Sequence, residues 1–263
     1  MLKILNCFKN TYDPDTMPEA DWLSGISSGE FDFSGLKSQI DPCSESGLEL
    51  TLRAADENRA AVSLTGLTFG PAASDKTLRT LYALGFDECV RIDGRPDPFY
   101  PEQTAKVIAG FCGDSEDYDL IVLGAQSQDG NNRKTPYLLA EYLGMPFVQN
   151  VTEYSLTEEG RIRITREVAE GICEETRDLP LVISVGDVPE TLLRVPALLQ
   201  RKDASGREIK VVPFAPDTGA DIPAIEVEKI EYVDQSRAGE MITGEGPEEI
   251  AKVIYERFIQ GQK

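Results

Sequence analysis

The sequence predicts an α/β protein, a parallel sheet layered between helices on both faces and followed by an extended C-terminal arm. Three observations carry that expectation. Short apolar runs such as Ala61–Phe69, Asp119–Leu123 and Leu179–Val185 stay apolar instead of alternating, as strands buried on both faces do. Between them lie segments of about ten residues with apolar positions at helical spacing, the order that right-handed crossovers between parallel strands require. From Val211 onward, proline and glycine are frequent and apolar residues too few for an independent core, so this stretch is expected to wrap around something else. The reading divides the chain into an α/β domain over residues 1–202 and an arm over 203–263.

The totals narrow the function. The chain of 263 residues carries 26 Lys+Arg against 46 Asp+Glu, a formal net charge of −20, which argues against nucleic acid and suits a solvated surface or a basic protein partner. It contains no histidine, which removes histidine general bases, Ser-His-Asp and Cys-His nucleophiles and histidine-ligated metals. Its cysteines (Cys7, Cys43, Cys89, Cys112, Cys173) form no CxxC pair and fit free thiols in a reducing cytosol. No apolar run approaches signal-peptide or membrane-spanning length, so a soluble, cytoplasmic protein without a membrane partner is expected.

Taken in order, Leu2–Phe8 is the first strand. A long loop of low apolar density follows, in which Gly25–Gly29 and Phe31–Phe33 suggest a short hairpin. Gly47–Asn58 is helical by its Leu48/Leu52/Ala55 spacing, with Ser44 as an N-cap. Ala61–Phe69 is a strand ended by Gly70-Pro71, Ser74–Leu84 a helix closed by Gly85, Glu88–Ile92 a strand, and Pro101–Phe111 a helix with proline in its first turn. After Pro146 the pattern alternates. Val148–Leu156 and Arg161–Val168 read as half-exposed antiparallel strands, and the acidic Glu167–Asp178 as a solvated turn. Leu179–Val185 is a further strand, Glu190–Arg201 a helix around Pro196, and Ile222–Val233 contains one more strand. Gly246–Phe258 closes the chain as an amphipathic helix.

The chemistry is expected in Asp119–Pro146, a strand, then Gly124, a polar loop, and a helix opening at Pro136 and stopped by Gly144. The loop has neither a Walker lysine motif nor GxGxxG spacing. It reads either as a solvated connection or as an anion site at a helix N-terminus, and the adjacent cations Arg133 and Lys134 favour the anion. Asp129 fits a turn former, a helix cap, or an acceptor for a ribose hydroxyl or orienting contact within the loop. Cys7, Thr68-Phe69 and Gly124 fall at strand carboxyl ends, where parallel sheets bind ligands. Cys7 itself is more simply a small buried hydrophobe than a reactive thiol, and Trp22 more simply a structural plug than a flavin or partner contact. In Leu192–Lys202 apolar residues crowd around a helix-disrupting proline. Core packing accounts for some of them, and an exposed remainder would mark a docking patch.

The order of pieces resembles the electron transfer flavoprotein beta subunit family. The matching pieces are Cys7-Phe8-Lys9, Asp41-Pro42, Phe69-Gly70-Pro71, Leu81–Asp87, Asp119–Asp129, Arg163–Val168, Leu179–Ile183 and Val195–Lys202. The resemblance implies a Rossmann-like domain of the adenine nucleotide alpha hydrolase-like type. It implies a heterodimer whose alpha subunit carries the redox FAD, with AMP or a second FAD in this chain, and a non-catalytic role in carrying electrons from a flavin dehydrogenase such as an acyl-CoA dehydrogenase. The family's nucleotide contacts fall here on Cys7, Asp41, Pro42, Cys43, Ser44 and Phe69. In the loop they fall on Gly124, Ala125, Gln126, Ser127, Gln128, Asp129, Gly130, Asn131, Asn132, Arg133, Lys134 and Thr135. Partner docking falls on Leu192, Leu193, Arg194, Val195, Pro196, Ala197, Leu198 and Leu199. Where members usually have Asn-Gln-Thr-Gly or Ala-Gln-Val-Gly, this chain has Arg133-Lys-Thr-Pro136. Alternatives are an electron-bifurcating subunit that binds FAD itself, and an adenine-nucleotide-binding regulatory module without electron transfer.

Overall fold

A computed structural model of the chain describes residues 1–29, 31–33, 35–58, 61–114, 117–157, 159–214, 228, 231 and 239–260. The elements begin β1 (Leu2–Cys7), β2 (Asn10–Tyr12), α1 (Glu19–Ser28), β3 (Ser38–Ile40), α2 (Pro42–Asn58), β4 (Val62–Gly70), α3 (Asp75–Ala83) and β5 (Glu88–Asp93). They continue with α4 (Pro101–Asp114), β6 (Leu120–Gly124), α5 (Thr135–Leu143), β7 (Phe147–Leu156), β8 (Ile162–Val168), β9 (Gly171–Arg177) and β10 (Leu181–Val185). Last come α6 (Leu198–Ala204), β11 (Lys210–Pro213) and α7 (Pro247–Ile254).

Among the described residues, nine strands form one sheet in the order β11-β5-β4-β1-β6-β10-β7-β8-β9. The strands from β11 to β7 run parallel, and β8 and β9 add an antiparallel edge. Residue alternation along each buried strand feeds two cores. In β1, Ile4 joins the core under α2 and α3, with Leu48, Leu78 and Leu81, while Leu5 joins the core under α4 and α5, with Ala105, Ile108 and Leu139. That is the expected three-layer α/β fold. The chain places β4 and β5 on one side of β1 and β6 and β10 on the other, so the strand order reverses between β1 and β6. The crevice beyond their carboxyl ends is where this architecture receives ligands.

Four local expectations are overturned. Gly25–Ser28, expected as part of a hairpin, is instead the end of helix α1, which carries Glu19 and Asp21 in its first turn and is closed by Gly29 at φ +75°, and Phe31–Phe33 form no strand. The actual two-stranded ribbon pairs Asn10–Tyr12 with Ser38–Ile40. Helix α2 begins at Pro42 and not at Gly47, with Ser44 inside it; the cap is Asp41, whose Oδ1 accepts the Cys43 N–H at 3.2 Å. The acidic run expected as a turn is strand β9, because Arg166 of β8 pairs with Glu175 at 2.7 Å and Arg177 pairs with it too, which balances the carboxylate in the ladder. Finally, no helix spans residues 190–197. The N–H groups of Leu193 and Arg194 bond to the carboxylates of Glu45 and Glu49, and α6 starts only after Ala197. The strand expected within residues 222–233 falls almost wholly outside the described residues. The sheet's edge strand β11 lies beyond residue 202 in sequence. No helix among the described residues is long and apolar enough to cross a membrane.

Candidate functional site

The crevice takes its shape from the close approach of β6 to the first turn of α2. A Cβ at Gly124 would stand 2.9 Å from the Ser44 backbone nitrogen, 3.0 Å from its Oγ and 3.2 Å from the Cys43 carbonyl carbon. Only glycine allows that contact, and it brings residues 125–134 over the end of α2. Asp41, 1% exposed, fastens the loop to the helix: Oδ1 accepts from Cys43 N–H, and Oδ2 accepts from the Gln128 N–H at 2.8 Å. Burial raises the carboxyl of Asp41 above the ordinary aspartate range, against the opposing pull of those two N–H groups and the Lys9 charge.

The rest of the loop is built from its own polar residues. Lys9 leaves β1 and donates its ammonium to Asp129 Oδ1 at 2.6 Å, with Ser127 Oγ at 3.5 Å, and its backbone N–H donates to Ser44 Oγ at 3.2 Å. Asp129 is thus the partner of a lysine, an orienting contact that ties the loop to the end of β1. Gly130 is pressed against Pro98, whose carbonyl oxygen a Cβ would meet at 2.3 Å, and Asn132 Nδ2 donates to the same oxygen at 3.0 Å. Asn132 Oδ1 accepts the Lys134 N–H at 3.0 Å, and Arg133 Nε donates to Gln126 Oε1 at 2.6 Å. Asn131 and Arg133 have φ of +43° and +58°, a left-handed backbone that residues with side chains adopt at some cost. At the loop's end, α5 opens with Pro136 in its first turn and no side-chain cap on its first N–H groups. That leaves donors at the positive end of the helix dipole facing the crevice.

The resulting cleft has a volume of about 100 Å³ and opens to solvent. Cys7, Leu67, Phe69, Ile108, Leu123, Pro96 and Pro98 give it an apolar lining, and Lys9, Arg133, Lys134 and Asp97 bring charge to it. Of the residues expected to contact a nucleotide, Cys7, Ser44, Phe69, Gly124, Ala125, Gln126, Ser127, Asn132, Arg133, Lys134 and Thr135 line this cleft. Asp41, Pro42, Cys43, Gln128, Asp129, Gly130 and Asn131 stand behind it and shape it. The lining from residues 96 to 108 was not anticipated. Its only sequence signal is the turn-rich Asp93–Pro98 at the carboxyl end of β5, a strand end like the others. Burial, reinforced by nearby Cys112, pushes the Cys7 thiol well up, and burial with the Asp41 charge pushes Cys43 up to about 11. Both stay neutral thiols that pack and do not attack. No group of metal-ligating side chains occurs among the described residues.

The second expected surface lies beside α2. Leu192, Val195, Leu198 and Leu199 are 77, 79, 84 and 68% exposed, an apolar patch, and Ala197 is exposed among them. Leu193 packs against the core, Pro196 is buried, and Arg194 turns inward onto Glu49 and Asp56.

A family model described as the electron transfer flavoprotein domain matches residues 29–217. Across 98% of each chain, the protein is 32% identical to YgcR of Escherichia coli (strain K12), whose name carries the words electron transfer flavoprotein subunit. It is 29% identical to the electron transfer flavoprotein subunit beta of Mycobacterium tuberculosis (strain ATCC 25618 / H37Rv), over 77% of this chain and 76% of the relative. With the mitochondrial beta subunit of Oryza sativa subsp. japonica it shares 32% identity over 57% of this chain and 60% of the relative. With a parallel sheet, a cleft at its switch point and matching relatives over nearly the whole length, the chain belongs to the electron transfer flavoprotein beta subunit family.

Proposed function

We propose that this subunit binds an adenine nucleotide, AMP or the adenylate end of a second FAD, in the cleft above β1, β4 and β6. We further propose that it pairs with an alpha subunit whose FAD carries the electrons, and that it presents this flavin to a dehydrogenase of the acyl-CoA type. The observation that carries the reading is the cleft itself. Its lining joins apolar groups from Leu67, Phe69 and Ile108, suited to a base, to the uncapped start of α5 with Lys9, Arg133 and Lys134, suited to phosphate. The fit is good on this chain's own geometry, because Gly124 and Gly130 are the two positions where a side chain would close the loop onto its supports. When bound, the flavin supplies the redox chemistry. The residues of this chain hold the nucleotide, keep Cys7 and Cys43 neutral, and fix the surfaces that meet the partners. The arm from residue 203, with the amphipathic α7 and the helical turn Tyr255–Ile259 that follows it, exposing Ile254, Tyr255, Phe258 and Ile259, serves as the contact to the alpha subunit.

The test is to purify the alpha–beta pair, release its nucleotides and identify and count them by mass spectrometry. One FAD with one AMP per pair is the outcome for simple transfer, and two FAD the outcome for a bifurcating pair. A pair without flavin, or a chain that binds AMP with no alpha partner, would overturn the proposal in favour of a regulatory nucleotide module.

A further inference from the structure

Residues 191–197 form neither helix nor strand, yet the segment is pinned along most of its length to α2. Thr191 Oγ1 donates to Ser46 Oγ at 2.7 Å, the Leu193 N–H to Glu45 Oε1 at 3.1 Å, and the Arg194 N–H to Glu49 Oε2 at 3.1 Å. The Arg194 guanidinium then closes on Glu49 at 2.9 Å and on Asp56 at 2.6 Å, while Arg53 donates to the Glu190 carbonyl at 3.0 Å. Glu49 has a side chain only 6% exposed. Burial alone would raise its pKa, and the hydrogen bonds and charge of Arg194, with a bond from Arg53, overrule that and hold the carboxyl below the ordinary glutamate range. None of these groups lines the nucleotide cleft. What the clamp does is geometric. It turns Arg194 inward and leaves the residues on either side of the Leu193–Arg194 pair, Leu192 and Val195, pointing to solvent beside Leu198 and Leu199.

We propose that Arg194 and Glu49 are positioning residues for electron delivery: they hold Leu192, Val195, Leu198 and Leu199 as a preformed apolar patch for the incoming dehydrogenase. The inference rests on the reading of this patch as the dehydrogenase surface. A flexible loop with four exposed apolar side chains would lose its freedom on every encounter, whereas a clamped one has lost it already, and a transient carrier gains contact rate and affinity from that difference. Arg201 and Lys202 stand exposed at the end of α6 in a chain of net charge −20, so the matching dehydrogenase face is apolar with a carboxylate rim.

Two measurements on the purified alpha–beta complex test this. The first is amide hydrogen exchange of residues 192–195. The second is steady-state reduction of the complex by an acyl-CoA dehydrogenase with its acyl-CoA substrate, at varied concentrations of the complex. Arg194→Ala and the milder Glu49→Gln are expected to speed exchange there about tenfold or more and to raise KM about tenfold or more with kcat within about twofold, since a tenfold change is about the worth of a single charge-assisted bond. Arg194→Lys should recover part of the KM. Leu192→Ala should raise KM with exchange unchanged. Exchange unaltered by Arg194→Ala, or a fall in kcat at constant KM, would overturn the clamp. Unchanged KM in Leu192→Ala and Val195→Ala would instead remove the docking reading, while the exchange data still decide the clamp.

Discussion

Asp41→Asn probes the joint between the nucleotide loop and α2 with the smallest available change. The carboxylate accepts two backbone N–H groups, Cys43 through Oδ1 and Gln128 through Oδ2, at a site 1% exposed. An asparagine keeps one acceptor and turns an NH2 towards the other N–H, so two donors face each other without water. Leaving a buried N–H unpaired costs about 1–3 kcal/mol. The change also removes a charge that burial disfavours, as the raised pKa of Asp41 shows, and this offsets part of the loss. The expected net is about 1–2 kcal/mol, which lowers the melting temperature by about 2–6 °C in a chain of this size. If the asparagine keeps the helix cap, the strained part is the loop at Gln128. Nucleotide affinity should then fall about 5- to 30-fold, the equivalent of the same free energy. Thermal unfolding with and without AMP, and the nucleotide retained after gel filtration, measure both effects. Unchanged melting and unchanged retention in both Asp41→Asn and Asp41→Ala would refute the idea that this carboxylate organises the site.

Other outcomes follow from neighbouring contacts. Gly124→Ala pushes a methyl against backbone atoms of Ser44 and Cys43 that have nowhere to retreat, an overpacking cost of about 1–3 kcal/mol, and a melting curve identical to that of the parent would contradict the close approach. Arg133→Ala combined with Lys134→Ala removes two cations from the cleft lining and should weaken AMP binding about 2- to 30-fold at low salt, with less difference at high salt. Calorimetric titration at two ionic strengths reads this, and equal affinities at both would mean that the cations only face solvent. Acid should loosen the clamp on residues 192–195. The folded pKa of Glu49 is held below its unfolded value, so its contribution is fully present above the ordinary glutamate pKa and is lost as pH falls through the lowered one. Amide exchange of that segment should therefore accelerate below about pH 4.3, beyond the intrinsic pH dependence of exchange, and an acceleration equal to that of Glu49→Gln would count against it.

The central strands and the site loop were legible because their signals are local. Uninterrupted apolar runs need two covered faces, and Gly124 followed by a polar loop and Pro136 marks a strand, an open turn and a helix start. What escaped depends on partners far along the chain. Ser44 and Asp41 are both good cap residues by type, and only the approach of Gly124, which sets Ser44 inside the helix against β6, decides for Asp41. The acidic run 170–175 lacked a reason to be a strand until Arg166 and Arg177 stood beside Glu175. Residues 190–197 have helical spacing, but carboxylates 145 or more residues earlier take their N–H groups first. The place of Pro98 in the cleft lining is a tertiary fact that the composition of Asp93–Pro98 announces only as a turn.

Among the described residues, helix α2 touches both proposed surfaces. Its cap, Asp41, and its Ser44 support the nucleotide loop, while Glu45, Ser46, Glu49 and Asp56, one to four turns further on, support the docking segment. Its 17 residues amount to about 25 Å of rigid rod. Its buried face is locked to the sheet by Leu48 and Leu52 and by Thr51, whose Oγ1 receives bonds from Asn6 Nδ2 at 2.7 Å and from the Tyr154 hydroxyl at 2.8 Å. On the proposed function, this subunit contributes chiefly by holding distances constant, since a flavin must meet its donor at a repeatable separation. A helix clamped to the nucleotide loop at one end and to the docking segment along its exposed flank meets that requirement without any moving part. A substitution in the Asn6–Thr51–Tyr154 network should therefore disturb nucleotide retention and dehydrogenase KM together, whereas substitutions at either surface disturb one alone.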